Sequence, residues 1–341
     1  MKKRVVVIGG GFAGAYAARN LEKKFSVTLI DTKDYFEFTP GILRTLVDPR
    51  HMKKIQVLHS NYLDFTTFVH GRVTGFTEKE VSVGKKRIPY DYLLICSGSH
   101  YASPIKEKNI ILPNRAHTLH DHFEKLSSAK KIVVVGGGVV GVELVGEISD
   151  VFPGKHITLL HSKVCLLERC SSRSQDYVEK VFKKKGVRFI FGQRMTEEKN
   201  GVCMTDKGKS LKADLCFLCT GIIPNSEFVD ASLLSEKKAI FVNTFLQVKG
   251  HAHIFAVGDV NAVPEEKTAQ GAEKQAEIAV QNVLRLDAGK KLIPYVSRPR
   301  VMVISLGKYN GILLYKDFVL TGFMPAVLKW FVEWKTMKNY R

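Results

Sequence analysis

Arg4-Val5-Val6-Val7-Ile8-Gly9-Gly10-Gly11-Phe12-Ala13-Gly14 is answered further along the chain by Lys131-Ile132-Val133-Val134-Val135-Gly136-Gly137-Gly138-Val139-Val140-Gly141. Each is a short apolar run, a G-x-G-x-x-G turn and the opening of a helix, and each is followed by a second strand, Ser26 to Asp31 and Lys155 to His161. A strand, a glycine turn, a helix and a parallel strand make a βαβ unit. Each glycine has its own reason. Gly9 and Gly136 allow the tight turn, Gly11 and Gly138 let a pyrophosphate approach the backbone, and Gly14 and Gly141 let helix and strand pack closely. The helix N-termini then present free N–H groups to the phosphates. Two such units on one chain imply two dinucleotides, and hydride transfer between them is the simplest use.

The two units differ at the end of the second strand. Asp31, 17 residues after Gly14, is placed to accept from ribose hydroxyls. The second unit has no acid there and ends in His161-Ser162-Lys163. That trio suits a 2′-phosphate, so His161 and Lys163 are expected to let NADPH serve alongside NADH. Glu143, two residues past Gly141, lies on the first turn of its helix. Two readings are open: a carboxylate that positions a nicotinamide or relays a proton, or a surface acid stabilised by the helix dipole.

The remaining sequence bounds the class. At 341 residues the chain is long enough for two or three domains. No apolar run approaches the ~18 to 20 residues of a membrane span. The apolar run at the N-terminus is too short for a signal peptide, and Lys2 stands where an N-myristoylation signal needs glycine. The net charge of +19 favours anionic partners, either phosphates or acidic lipid. Nucleic acid is the weaker reading, since there is no zinc-finger spacing, RNP-like motif or basic low-complexity tail. The six cysteines form no disulfide framework or metal-ligand set, which fits a reducing, cytoplasmic setting. Cys216 and Cys219 share an apolar strand, where residues three apart face opposite ways. No cysteine occurs between residues 32 and 95, where a flavin disulfide reductase needs its reactive thiol, and none follows Cys219 to complete a sulfide-oxidising pair.

The order of the glycine motifs, Cys96-Ser97-Gly98, Cys219-Thr220-Gly221 and Phe255-Ala256-Val257-Gly258-Asp259 resembles that of the flavoproteins with two dinucleotide-binding domains. Gly141-Val142-Glu143, Thr158-Leu159-Leu160-His161-Ser162 and Trp334-Lys335-Thr336-Met337 narrow the resemblance to the ferroptosis suppressor (apoptosis-inducing-factor-like) proteins and type II NADH dehydrogenases. The resemblance implies an α/β fold of two Rossmann-like domains with a small C-terminal α+β domain. The expected FAD domain is 1–105 with 221–290, the NAD(P)H domain 106–220, and the quinone-site and membrane-associating segment 291–341. Proline-bearing hinges are expected near 103–115 and 221–226. FAD would use Gly9, Gly11, Gly14, Asp31, Pro40, Gly98, Asp259 and Ala269. NAD(P)H would use Gly136, Gly138, Gly141, His161, Lys163 and Gly221. Glu143 and Gln270 would be the catalytic residues and a quinone the acceptor, although Lys274 departs from the glutamine of some quinone-reducing relatives. The alternative activity is a redox-sensing or nucleic-acid-binding role of the apoptosis-inducing-factor type. No metal is implied, and a homodimer is left open.

Residues 285–341 hold eleven Lys or Arg against three Asp or Glu. Within them, Ala326 to Met337 reads as a helix with Val327, Trp330, Phe331, Trp334 and Met337 on one side and Lys329, Glu333 and Thr336 on the other. The pattern alone favours an apolar face packed on the flavin domain or a second subunit. The quinone expectation reverses this and makes it an interfacial helix peripheral to a membrane.

Overall fold

The computed structural model describes residues 1–101 and 114–341; the expected hinge near 103–115 and the boundary at 105/106 lie almost wholly outside them. The two sequence repeats become two parallel sheets. In the first, β1 (Arg4–Ile8) lies between β2 (Ser26–Asp31) and β4 (Tyr92–Ile95), with β3 (Thr67–His70) beyond β2 and β9 (Ile254–Ala256) beyond β4. The pairs are parallel and in unbroken register, Val5 with Val27 and Tyr92, Val7 with Leu29 and Leu94. In the second, β5 (Lys131–Val135) lies between β6 (His156–His161) and β8 (Leu215–Leu218), with β7 (Arg188–Phe191) outside β6. All central strands are buried on both faces, which is why they read as continuous apolar runs rather than alternating ones.

Helix α1 (Phe12–Leu21) follows the first glycine turn and α2 (Val139–Val151) the second. The third motif glycine has the strictest demand. A Cβ on Gly14 would sit 1.7 Å from the Gly9 carbonyl oxygen, and one on Gly141 would sit 1.9 Å from that of Gly136. Gly9 and Gly136 themselves have φ of +96° and +113°. Around α1 the small side chains Ala13, Ala17 and Ala18 admit α3 (Ala269–Asp287), whose Ala272, Ala276 and Ala279 belong to the same core.

The last part is an antiparallel meander, β10 (Met302–Ser305), β11 (Gly311–Tyr315) and β12 (Phe318–Gly322), followed by α4 (Phe323–Tyr340). Here the expectation that the apolar stripe packs on the flavin domain is corrected. Phe323, Met324, Val327, Trp330, Phe331 and Trp334 are exposed, with Trp330 at 55%. The polar side turns inward instead, because charged partners wait for it: Lys329 bonds Glu143, and Glu333 meets His51 at 3.1 Å. Only the end of the stripe is core, where Met337 and Tyr340 are buried and Tyr340 stacks on Phe36 at 4.0 Å between ring centroids. No helix among the described residues is long and apolar enough to cross a membrane. The six cysteines are free thiols, and burial pushes Cys219 up to about 12, so it is inert.

Candidate functional site

A continuous cleft of about 1600 Å³ runs from the first glycine turn to the second and on beneath α4. Thirteen of the residues singled out from sequence line it: Gly9, Gly11, Asp31, Pro40, Gly98, Gly136, Gly138, Glu143, His161, Gly221, Asp259, Ala269 and Gln270. Gly14 and Gly141 do not line it; they set the helix-to-strand distance behind it. Lys163 is exposed and does not line the cleft either.

The first cradle fits FAD. A Cβ on Gly11 would meet nothing within 4 Å, so the backbone is open where a pyrophosphate comes closest. Asp31 Oδ2 accepts from Gly10 N–H at 2.5 Å, and Oδ1 from Lys33 N–H at 3.1 Å. Burial works against this charge, yet Lys33, His59 and the two N–H donors outweigh it and hold the carboxyl below its usual range. At the far end of the cleft, Asp259 Oδ2 accepts from Ser99 Oγ at 2.7 Å. Thr268 caps α3 by accepting from Gly271 N–H at 3.0 Å, which leaves the first turn of that helix, with Ala269 and Gln270, facing the cavity. Beside that turn, Arg300 Nη1 is a buried donor with no partner in the protein. An orphaned donor in a cleft of this size fits a ligand rich in acceptors, as an isoalloxazine ring is.

Behind Asp31 lies His59, buried, with Nδ1 2.6 Å from the Tyr62 hydroxyl. Burial pushes its imidazole down to about 4, although Asp31 pulls the other way. In the unfolded chain the ring takes a proton near 6.5, while in the folded chain it stays neutral to about 4. Stability is therefore whole above pH 6.5 and lost as pH falls toward 4, by about 3 kcal/mol from this one group. Urea unfolding at steps from pH 7 to 4.5 should show that loss, and His59→Gln should flatten it; an equal slope in the variant would assign the acid sensitivity elsewhere.

The second cradle repeats the geometry with different chemistry. Gly138 is open as Gly11 is. His161 takes the place of Asp31, its Nδ1 accepting from Gly137 N–H at 3.0 Å and its Nε2 lying 3.4 Å from Glu168 Oε2. Glu143 is not a surface acid. It is buried, and its Oε1 accepts from Ser305 N–H at 2.9 Å and from Lys329 Nζ. One turn on, Glu147 receives Arg44 through two N–H···O bonds of 3.0 and 3.3 Å. A small cavity of about 20 Å³, enough for about one water, joins Glu143, Glu147, Arg44, Lys329 and Glu333. Sequence reasoning missed the roles of Arg44 and Lys329, whose partners Glu147 and Glu143 are distant in the chain, and of Glu168 and Arg300, which no motif marks. It also missed Glu273, whose carboxyl lines the cleft one turn past Gln270 and is pushed up by burial.

The family model described as pyridine nucleotide-disulphide oxidoreductase matches residues 3–281. Ferroptosis suppressor protein 1 of Xenopus tropicalis is 33% identical over 96% of this chain and 92% of its own length. Among solved structures, NDH2 of Plasmodium falciparum in complex with NADH superposes with a TM-score of 0.84 at 15% identity, covering 100% of this chain and 97% of that one. The sulfide:quinone oxidoreductase of Aquifex aeolicus does so at 0.81 and 20% identity, covering 99% and 92%. Those two likenesses establish the fold; the sequence match carries the rest. The chain, an oxidoreductase that uses FAD and a nicotinamide dinucleotide, belongs to the pyridine nucleotide-disulphide oxidoreductase family and, within it, to the ferroptosis suppressor proteins.

Proposed function

We propose that the chain is an NAD(P)H:quinone oxidoreductase that works on a membrane surface. The observation that carries this is one cleft joining both glycine cradles and continuing to Val332 and Thr336 on the inner side of a helix whose outer side is exposed aromatic surface. When bound, FAD would supply the redox chemistry, two-electron uptake from a nicotinamide and release to a quinone.

The protein's own residues bind, orient and supply charge. The first sheet and α3 would hold the flavin dinucleotide through Gly9, Gly11, Asp31 and Asp259, with Phe38 and Pro40 also lining the cleft. The second sheet presents the nicotinamide through Gly136, Gly138 and Gly221. Glu143 orients the nicotinamide end or holds a proton there, its carboxylate fixed by Ser305 and Lys329. Gln270, at the helix N-terminus, bonds the quinone or the adjacent ring edge. Reducing a quinone to its quinol needs one proton beyond the hydride. The charged group around the small cavity beside Glu143 is where the chain can hold one.

The outer face of α4 supplies the membrane contact. Trp330, Phe331 and Trp334 form an apolar strip, and Lys335, Lys338 and Arg341 are exposed beside it, with Lys338 Nζ 5.3 Å from the Trp334 ring centroid. This face favours lipid over the redox-sensing or nucleic-acid reading, to which the +19 net charge gives no built surface. Replacing Trp330 and Trp334 by Ser should cut binding to anionic liposomes about tenfold or more and slow reduction of liposome-embedded quinone. Reduction of a short-chain, water-soluble quinone should be unchanged. Equal rates on embedded quinone for both proteins would remove the membrane role; no quinone turnover by either would remove the acceptor.

A further inference from the structure

We infer that Glu168 is the nucleotide-selecting carboxylate of the second cradle and makes the site prefer NADH to NADPH. The inference rests on the reading of the Gly136–Gly141 turn as the nicotinamide dinucleotide site.

At the end of β2, Asp31 accepts from the N–H of the middle glycine of its turn. At the end of β6, His161 makes the same bond, through Nδ1 to Gly137. A ring nitrogen that accepts a hydrogen bond carries no proton, so this imidazole is neutral with its proton on Nε2. Burial acts in the same direction and pushes the group below its usual value, against the pull of Glu168. A neutral imidazole gives a 2′-phosphate no ion pair, so His161 cannot serve as the phosphate anchor that its sequence position suggests.

The loop after β6 supplies what the strand end lacks. Leu167 N–H donates to Gly137 O at 2.9 Å, and Cys170 N–H donates to Leu167 O at 2.7 Å. Leu167 holds a left-handed φ of +50°, rare for a branched side chain, and Leu166 is fully buried against the glycine turn. These contacts fold the loop back over Gly137 and bring the Glu168 carboxylate to 3.4 Å from His161 Nε2, at the cleft wall. A carboxylate therefore stands beside the strand end after all, delivered seven residues late. There it can accept from a ribose 2′-hydroxyl, and it would face a 2′-phosphate with like charge. Of the nearby cations, Lys163 does not line the cleft and Arg169 is paired with Glu266 at 2.8 Å. Arg169 and Arg194 both line the cleft and are the cations that Glu168 must outweigh.

The test compares nucleotides on the FAD-loaded protein, by steady-state kcat/KM and by calorimetric binding of ADP-ribose and 2′-phospho-ADP-ribose. The wild type should favour NADH and ADP-ribose about tenfold or more. Glu168→Gln should bring the two nucleotides to within about threefold of each other, mainly by weakening NADH, and Glu168→Arg should favour NADPH. Flavin content and reduction by dithionite should match in all three proteins. A wild type that takes both nucleotides equally, or a Glu168→Gln variant with the wild-type ratio, would overturn this inference and leave the dinucleotide site standing. Failure of both fragments to bind would overturn the site and the inference together.

Discussion

Gly141→Ala should give a yellow protein that NADH reduces roughly a hundredfold less efficiently. The added Cβ would lie 1.9 Å from the Gly136 carbonyl oxygen, which is backbone and cannot swing aside. The start of α2 must therefore move, carrying with it the N–H groups meant for the pyrophosphate and, two residues on, Glu143. A displacement of about 1 Å in such a site costs roughly a hundredfold in kcat/KM. The first cradle is untouched, so FAD content and dithionite reduction should be normal. Gly14→Ala makes the opposite lesion. Its Cβ would lie 1.7 Å from the Gly9 oxygen, and the product should be colourless or poorly folded. Flavin absorbance and stopped-flow reduction by NADH check both. A Gly141→Ala protein reduced at the wild-type rate would mean that the second turn does not seat the nicotinamide dinucleotide.

Lys329→Met should cost about 3 kcal/mol of stability, because it leaves the buried Glu143 carboxylate with one N–H donor and no cation bonded to it. The cost arises from stranding a charge rather than from losing an attraction. Glu143→Gln with Lys329→Met should therefore recover most of it, the coupling appearing as a clear departure from additivity. Urea unfolding of the four proteins measures this directly. Additive losses would show that the Lys329 contact does not hold Glu143.

What could be read from the chain follows the range of the interactions. Both cradles are local: strand, turn, helix and strand fall within about thirty residues, and the steric demands on Gly14 and Gly141 come from residues five positions earlier. The architecture was legible for that reason, and most of the residues singled out with it line the cleft. Glu143 could be picked out by position, but not explained, since its partners Ser305 and Lys329 are 162 and 186 residues away. The same holds for Arg44 and Glu147, 103 residues apart. Periodicity found the apolar stripe of α4 but could not say which side faces out, because Glu143 and His51, which draw Lys329 and Glu333 inward, belong to other elements. His161 carries a subtler ambiguity. A histidine beside a lysine reads as a cationic pair, and only the bond from Gly137 N–H shows the ring to be a neutral acceptor.

The central claim is that one polypeptide sets a flavin and a nicotinamide against each other in a single cleft, and anaerobic titration of the purified protein with NADH tests it most directly. The flavin absorbance near 450 nm should bleach at about one equivalent of NADH per bound FAD and return when a quinone is added. A protein that binds no flavin, or a bound flavin that dithionite reduces and excess NADH does not, would contradict it.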